Sequence, residues 1–505
     1  MEKFSSDVLV VGGGIAGLTA ASLLVKNNVP TVLIESHQKV GGCAGTFNRG
    51  KYIFDVGATQ VAGFEKRGIH SRIFKYLEYE LPEASVLDPV CKVDLKDGGN
   101  PINIWRDRQY WKFEREKEFP GSENFWNLCE LLHQSNWSIA EKDPIIPFRT
   151  KWDFFQFISS IGLKNIPASV FTFLTIADLM WLTGCHKNFR LRKFLDMQLK
   201  LYSQKGVDET AALYGSTVLQ MGQEPLGLWH INGSMQKLSN SLLDSLTLNG
   251  GMVKLGHKVI KIDRKSVDDY FEIEVLNREN IKELFFVKDI IFTPPPQSIF
   301  GLMTPELITK NYYNKLKKLP ESSGAIVLYS AVERKALSKN SPLHLQISSQ
   351  NFKSIFISIS AEGDGRAPLG QATLIASVFC DVEEWHNLDK IEYLRKKNIL
   401  KDLLISEINN NFKFKLDDWH HVEISTPKSF MRWTGRPKGI VGGLGQSPNI
   451  FGPFGLPSRT PIKNFWLCGD SIYPGEGTAG VSQSALMVCN QLLAFRGLPK
   501  LNIPF

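Results

Sequence analysis

The spacing of apolar and polar positions changes several times along the chain, and each change predicts an element. Residues 8–11 are a short, unbroken apolar run rich in valine, the pattern of a strand buried on both faces of a parallel sheet. Ile15–Lys26 follows with helical spacing, placing Leu18, Ala21, Leu24 and Val25 on one side. Residues 31–34 predict a second buried strand, ended by Glu35. A strand, helix and strand closing in about thirty residues form a βαβ unit. From about Trp105 to Trp181 tryptophan and phenylalanine become dense and the rhythm is lost, which marks a second domain.

The rhythm returns over residues 231–261. Residues 234–246 predict a helix with Met235, Leu238, Leu242, Leu243 and Leu246 on its apolar face, and residues 253–262 a strand after the Gly250-Gly251 turn. Residues 285–292 predict another strand, stopped by Pro294, Pro295 and Pro296. Between 322 and about 441, stretches such as 324–329 and 355–360 predict sheet, and 391–408 a helix. Residues 465–468 predict the last buried strand and 482–493 the last helix. There is no internal repeat and no low-complexity tract.

Composition narrows the class. A chain of 505 residues is too long for one core, so two domains are expected. Hydrophobic residues at 43% and charged residues at 22% are ordinary for a globular protein. The net charge of +8 is not concentrated in any block, which favours contact with an anionic membrane surface and gives no support to nucleic-acid binding. The seven cysteines form no CxxC pair and no His/Cys spacing suited to a metal, so free, mostly buried thiols in a reducing compartment are expected, with no metal site. The first strand begins too early for a signal segment, and no apolar run reaches the ~18 residues of a spanning helix; residues 165–177 come nearest. The expectation is a protein lying peripherally on the cytoplasmic side of a membrane without crossing it.

Two stretches carry the chemistry. Asp7–Gly17 reads DVLVVGGGIAG. Gly12 permits the tight turn off the strand, Gly14 admits a pyrophosphate to the backbone, and Gly17 lets the helix pack on the strand. The helix N-terminus, at Ile15 and Ala16, then faces the phosphates with unpaired N–H groups. Glu35, about twenty residues on, is placed to accept hydrogen bonds from ribose hydroxyls. Near the other end, 464–485 reads NFWLCGDSIYPGEGTAGVSQSA. There Asp470 can receive a ribityl hydroxyl, and Gly469, Gly480 and their neighbours, including Val481, let backbone cross close to an isoalloxazine ring. The first stretch alone points only to a dinucleotide, and the second alone reads as an ordinary strand–turn–helix; paired, they point to FAD held by a domain that the chain leaves and re-enters.

The chain resembles the flavin-dependent amine oxidase and phytoene desaturase superfamily over nearly its full length, and within it the carotenoid desaturase and isomerase branch. The matching positions are the GGGIAG core with Glu35, the doublet Gly41-Gly42, Phe54-Asp55-Val56-Gly57, Asn232-Gly233-Ser234-Met235 with Leu238, Lys288-Asp289-Ile290-Ile291, and Gly469-Asp470 with its glycine loop. Bacterial phytoene desaturases usually carry Arg after the doublet and read like FDxGPT; this chain has Cys43 and FDVGATQVAG. With MQLKLYSQ (197–204) and GLWHINGSMQKLS (227–239), that stretch looks most like the cyanobacterial-type carotenoid 3′,4′-desaturase group. The resemblance implies an α/β fold: a discontinuous Rossmann-like FAD domain (1–75, 225–300 and 455–505) and an α+β substrate domain with a mixed sheet and apolar helices (76–224 and 301–454). It also implies that Val259 gives backbone contacts to adenine, and that an apolar tunnel takes a lipophilic carotenoid.

The activity so implied is desaturation, with a hydride passing to flavin and a proton leaving the neighbouring carbon. Prolycopene-type cis–trans isomerisation with reduced FAD is the alternative, and amine or porphyrinogen oxidation a further one; an escort protein without flavin is opposed by the intact half-sites. Glu476 is the candidate for handling the proton, against the plain reading of a solvated loop acid. Trp229 and His230 enter the flavin domain but read more readily as core, and no catalytic side chain is assigned. Phe154, Phe155, Phe157, Ile158 and Ile161, then Val170, Phe171, Phe173 and Trp181, predict two apolar helices broken at Lys164 and Pro167. They form either a membrane-surface entrance or a lid. The electron acceptor is expected to be a quinone or oxygen.

Overall fold

The computed structural model describes residues 2–265, 269–338 and 341–504. Two seven-stranded sheets organise them. The first runs, from edge to edge, Lys258–Lys265, Tyr270–Leu276, Lys282–Phe292, Lys3–Val11, Thr31–Glu35 and Met252–Leu255. The long strand Lys282–Phe292 pairs parallel with Lys3–Val11 on one side. On its other side its first half pairs with Tyr270–Leu276 and its last three residues with Phe465–Leu467. One strand therefore sets the register of chain segments more than 400 positions apart.

The helix Ile15–Lys26 has the predicted bounds but not a single apolar face: every residue from Ile15 to Val25 is buried. It is enclosed by Gln236–Leu248 and Thr478–Phe495, with Ser22 Oγ donating to the Leu242 carbonyl and Thr19 Oγ1 beside Ser482 Oγ. Small residues (Ala16, Gly17, Thr19, Ala20, Ala21, Ser22) let three helices meet that closely. The strand expected over 253–262 is broken. Gly256 (φ +69°) turns the chain, and its N–H and that of His257 bond to the His37 and Glu35 carbonyls. The two halves then lie at opposite edges of the sheet. The last helix starts at Thr478, four residues before the expected 482, because Gly477 (φ +89°) is its N-cap and the end of the glycine loop forms its first turn.

The second sheet is mixed, in the order Trp419–Ser425, Gly324–Glu333, Gln371–Cys380, Ile355–Ile359, His344–Ile347, Cys91–Asp94 and Ile102–Ile104, with only His344–Ile347 and Cys91–Asp94 parallel. One face packs Ile326, Leu328 and Leu374 against Leu404 and Ile408 of the helix Lys390–Phe412. The other face presents Ala325, Val327 and Ile375 to a cavity between the sheets. Coverage on both sides explains why Gly324–Glu333 reads as a nearly continuous apolar run.

The apolar stretch after Lys151 forms three pieces, not two: Lys151–Ile161, a 3₁₀ segment Leu163–Phe173, and Ile176–Leu182. Thr150 with Asp153, and Thr175 with Asp178, cap the two α-helices reciprocally, and Pro167 sits inside the 3₁₀ segment. Fully buried Asp153 also takes bonds from Arg459 and from Gln491 of the last helix, which ties this stretch to the first sheet's helices. Ile176, Leu179 and Met180 point inward, whereas Phe155, Val170, Phe173 and Trp181 are each about two-thirds exposed (66–69%). Among the described residues no helix is long and apolar enough to cross a membrane.

Candidate functional site

A cavity of about 930 Å³ lies between the two sheets. That is near the upper end of the roughly 300–1,000 Å³ usual for cofactor and ligand sites. Both sequence half-sites open into it. Gly12 (φ +100°) turns the chain off its strand; a Cβ there would fall 2.4 Å from Thr293 Oγ1. A Cβ on Gly14 would meet nothing within 4 Å, because it would stand in the cavity. Ile15 and Ala16 begin the helix, with no side chain capping it and no acid in its first turn. Glu35 reaches the same space: its Oε2 accepts Gly13 N–H at 2.6 Å and its Oε1 accepts His37 N–H at 2.6 Å. Gly41 and Gly42 run alongside, Gly41 N–H bonding the Gly13 carbonyl at 2.8 Å. Val259 lies on the wall where the strand register shifts before Lys261. Gly17 does not line the cavity. A Cβ there would sit 2.0 Å from the Gly12 carbonyl oxygen, so this glycine serves helix–strand contact.

The far half-site supplies Gly469, Asp470, Glu476, Gly480 and Val481. Gly480 and Val481 lie in the first turn of the last helix, which, like the first, has no side-chain cap. The uncapped N-termini of two helices thus converge on one cavity, an arrangement that favours an anionic ligand. Asp470 pairs with the Arg436 guanidinium at 2.9 Å, and Arg436 also donates to the carbonyls of Ile440 and Gly442. Burial opposes the charge on Arg436, but Asp470, Cys43 and Glu476 together outweigh it and keep the group above its ordinary value. Cys43, the residue after the doublet, lines the same region; burial pushes its thiol up, against the pull of Arg436.

Glu476 Oε2 accepts Gln204 Nε2–H at 2.7 Å and Gly443 N–H at 3.3 Å. Burial pushes its carboxyl up to about 8, against the Gln204 bond that favours the charged form. The solvated-acid reading therefore does not describe this residue. Gly442 (φ +70°) makes the arrangement possible, since a Cβ there would lie 2.1 Å from Glu476 Oε2; a Cβ on Gly443 would lie 1.9 Å from the Asp470 carbonyl oxygen. Sequence reasoning missed Gln204, Arg436 and this second glycine doublet, although Gly442-Gly443 mirrors Gly41-Gly42 and was the available signal.

The cavity is also lined by apolar and aromatic side chains, among them Tyr202, Tyr214, Met221, Leu228, Phe356, Phe379, Phe430 and Phe451. Tyr214 spends its hydroxyl on the Tyr202 carbonyl at 2.6 Å. On the same lining Arg72 pairs with Asp143 at 2.6 Å, and Gln483 Nε2 donates to the same carboxylate at 3.1 Å. Trp229 and His230 stay outside the cavity, in the strand Trp229–Ile231. His230 Nε2 instead meets Asp364 and Arg366, each at 2.9 Å, in a buried charge network that includes Asp55. The seven cysteines form no disulfide. Among the described residues no group of three or more His, Cys, Asp or Glu is placed to hold a metal.

Comparison with known proteins gives a consistent picture. The profile of the family "Flavin containing amine oxidoreductase" matches residues 15–493. The prolycopene isomerase of Arabidopsis thaliana chloroplasts is 24% identical over 523 residues, covering 98% of this chain and 84% of that protein. The all-trans-retinol 13,14-reductase of Danio rerio is 22% identical over 555 residues, covering 97% and 86%. Among solved structures, a putrescine oxidase with bound putrescine superposes with a TM-score of 0.65 at 15% identity, covering 98% of this chain and all of that one.

Proposed function

Since the chain belongs to the flavin containing amine oxidoreductase family and is an FAD-dependent oxidoreductase, we propose that its substrate is a carotenoid, from which it removes two hydrogens near one end in a C-3′,4′-type desaturation. The observation that carries this reading is the continuity of the cavity. One cavity is lined both by two helix N-termini, Glu35 and Arg436 and by a set of apolar and aromatic side chains. The relatives named for prolycopene and retinol, both apolar polyenes, support the same substrate class.

The residues present fit FAD. The open space at Gly14 and the uncapped helix N-termini suit a pyrophosphate, with Arg436 within the same wall. Glu35 suits ribose hydroxyls, Val259 backbone an adenine edge, and Gly469 with Asp470 a ribityl chain. FAD bound there supplies the hydride acceptor. The chain's own part is to align the polyene along Tyr214, Phe356 and Phe379, to exclude water, and to take the proton from the neighbouring carbon on Glu476. In this proposal residues 1–75, 225–300 and 455–505 form the FAD domain, and 76–224 with 301–454 the substrate domain. Phe155, Val170, Phe173 and Trp181 lie against a lipid surface from which the substrate enters, and a quinone reoxidises the flavin.

A second reading is cis–trans isomerisation of a carotenoid with FAD kept reduced, favoured by the isomerases that match along 98% of the chain. Incubating FAD-loaded protein with carotenoids and measuring product mass separates the two. Loss of two hydrogens supports desaturation, and an unchanged mass with a shifted absorption maximum supports isomerisation. Peroxide release from amines, with carotenoids untouched, overturns both.

A further inference from the structure

Gln204 ends the helix Phe189–Ser203 in the left-handed region (φ +60°) and is almost fully buried. Both ends of its amide are committed. Oε1 accepts Ser323 N–H at 2.8 Å, while Nε2 donates to the Gly443 carbonyl at 3.0 Å and to Glu476 Oε2 at 2.7 Å. Accepting from Ser323 fixes which way the amide faces, so only its NH₂ group can meet Glu476. Gly443 N–H adds a second donor to the same carboxyl oxygen. An oxygen that already accepts two N–H bonds is a poor place for a proton, and Oε1 accepts none from the described residues. The other charged or titratable groups around Glu476 are Asp470, Arg436, Tyr214, Lys200 and Cys43, and none of them hydrogen-bonds to it.

We infer that Gln204 is a positioning residue: it turns the Glu476 carboxyl so that its exchangeable proton is carried on Oε1, the oxygen left to the cavity and the substrate. The inference rests on the reading that Glu476 exchanges a proton with substrate, and it adds what presents that proton. The same orientation serves either direction of transfer, since the acid and the base are one group. It also gives Gln204 a defined electrostatic effect. Its N–H bond stabilises the carboxylate, so removing it strengthens proton binding.

The test uses the FAD-loaded protein and follows the carboxyl C=O stretch by infrared difference spectroscopy across a pH titration, with Glu476→Gln identifying the band. Two variants suit the left-handed backbone: Gln204→Asn, whose shorter amide falls short of Glu476, and Gln204→Gly, which has no amide. The wild-type protein is expected to show one narrow band that titrates near pH 8 and is missing in Glu476→Gln. Both Gln204 variants should broaden the band and raise its midpoint by about one pH unit, a roughly tenfold gain in proton affinity. Unshifted midpoints in both variants, or a wild-type band that survives Glu476→Gln, overturn the proposal. If the midpoints shift but Glu476→Gln turns over carotenoid at the wild-type rate, the positioning role stands and the proton-transfer role of Glu476 falls.

Discussion

Arg366 and Asp55 form a buried ion pair, with Nε and Nη2 of the guanidinium 3.2 and 3.1 Å from a single carboxylate oxygen and both side chains 3% exposed. Asp55 turns its other oxygen to the Met235 N–H, at the start of the helix Gln236–Leu248, while Arg366 also meets Asp364, His230 and the Ile231 carbonyl. The loop between two strands of the second sheet is thereby fastened to the first sheet's helices, just behind the cavity wall at Val56–Thr59. Arg366→Ala leaves Asp55 buried without its cation and is expected to cost about 3–5 kcal/mol. Urea unfolding of the FAD-loaded protein measures this; a loss below 1 kcal/mol would show that the pair is dispensable.

Gly14→Ala separates binding from folding. Apart from the local backbone, nothing lies within 4 Å of the added methyl, so apoprotein stability should stay within about 1 kcal/mol of wild type. FAD affinity should fall at least tenfold, because the methyl occupies the space assigned to the pyrophosphate. Fluorescence titration with FAD, beside a thermal melt of the apoprotein, gives both numbers. Equal affinity would remove Gly14 from the binding surface.

The pH dependence of stability has a definite sign. Glu476 is raised from 4.5 to about 8 by burial, so the folded protein holds a proton that the unfolded chain releases above about pH 4.5. Its contribution to stability is fully present below that value and is lost as pH rises towards 8. Glu476→Gln has no such loss. The stability difference between variant and wild type should therefore grow from pH 4.5 to 8 and level off above. Denaturant midpoints at a series of pH values test it, and a constant difference would refute the raised proton affinity.

Turnover should separate the two readings by its pH profile. Desaturation needs Glu476 as carboxylate, so its rate should rise through about pH 8. Chemistry that begins by protonating the polyene needs the acid, and its rate should fall over the same range. In Glu476→Gln either limb should flatten, with turnover reduced by about 10²–10⁴.

Membrane contact is tested at the exposed apolar residues. Phe155→Glu with Trp181→Glu should abolish co-sedimentation with anionic vesicles while leaving the melting temperature and FAD content unchanged, since both side chains are about two-thirds exposed. Undiminished sedimentation would place the lipid contact elsewhere or remove it.

What the sequence disclosed, and what it concealed, follows from the range of each interaction. The helix Ile15–Lys26 and the strand Thr31–Glu35 were legible because period and glycine spacing are local. The break at Gly256 was not, because Val253 and Ile262 share one apolar pattern although they lie at opposite edges of the sheet. The FAD requirement followed from two motifs that announce themselves separately. Gln204 with Glu476 is a contact across 272 positions, and Arg366 with Asp55 one across 311. In each case the polar residue has no neighbour in sequence that marks its partner. Arg436, likewise, stands in a stretch whose only local sign is the glycine doublet six residues on.

The strand Lys282–Phe292 has an implication for how the protein is made. It gives one edge to Lys3–Val11 and the end of the other to Phe465–Leu467, and the helix Ile15–Lys26 is enclosed only when Thr478–Phe495 packs on it. Segments from both ends of the chain must therefore dock on this one strand and on the helix Ile15–Lys26 before the cavity between the sheets is complete, and contacts of such wide sequence separation are expected to form late in folding.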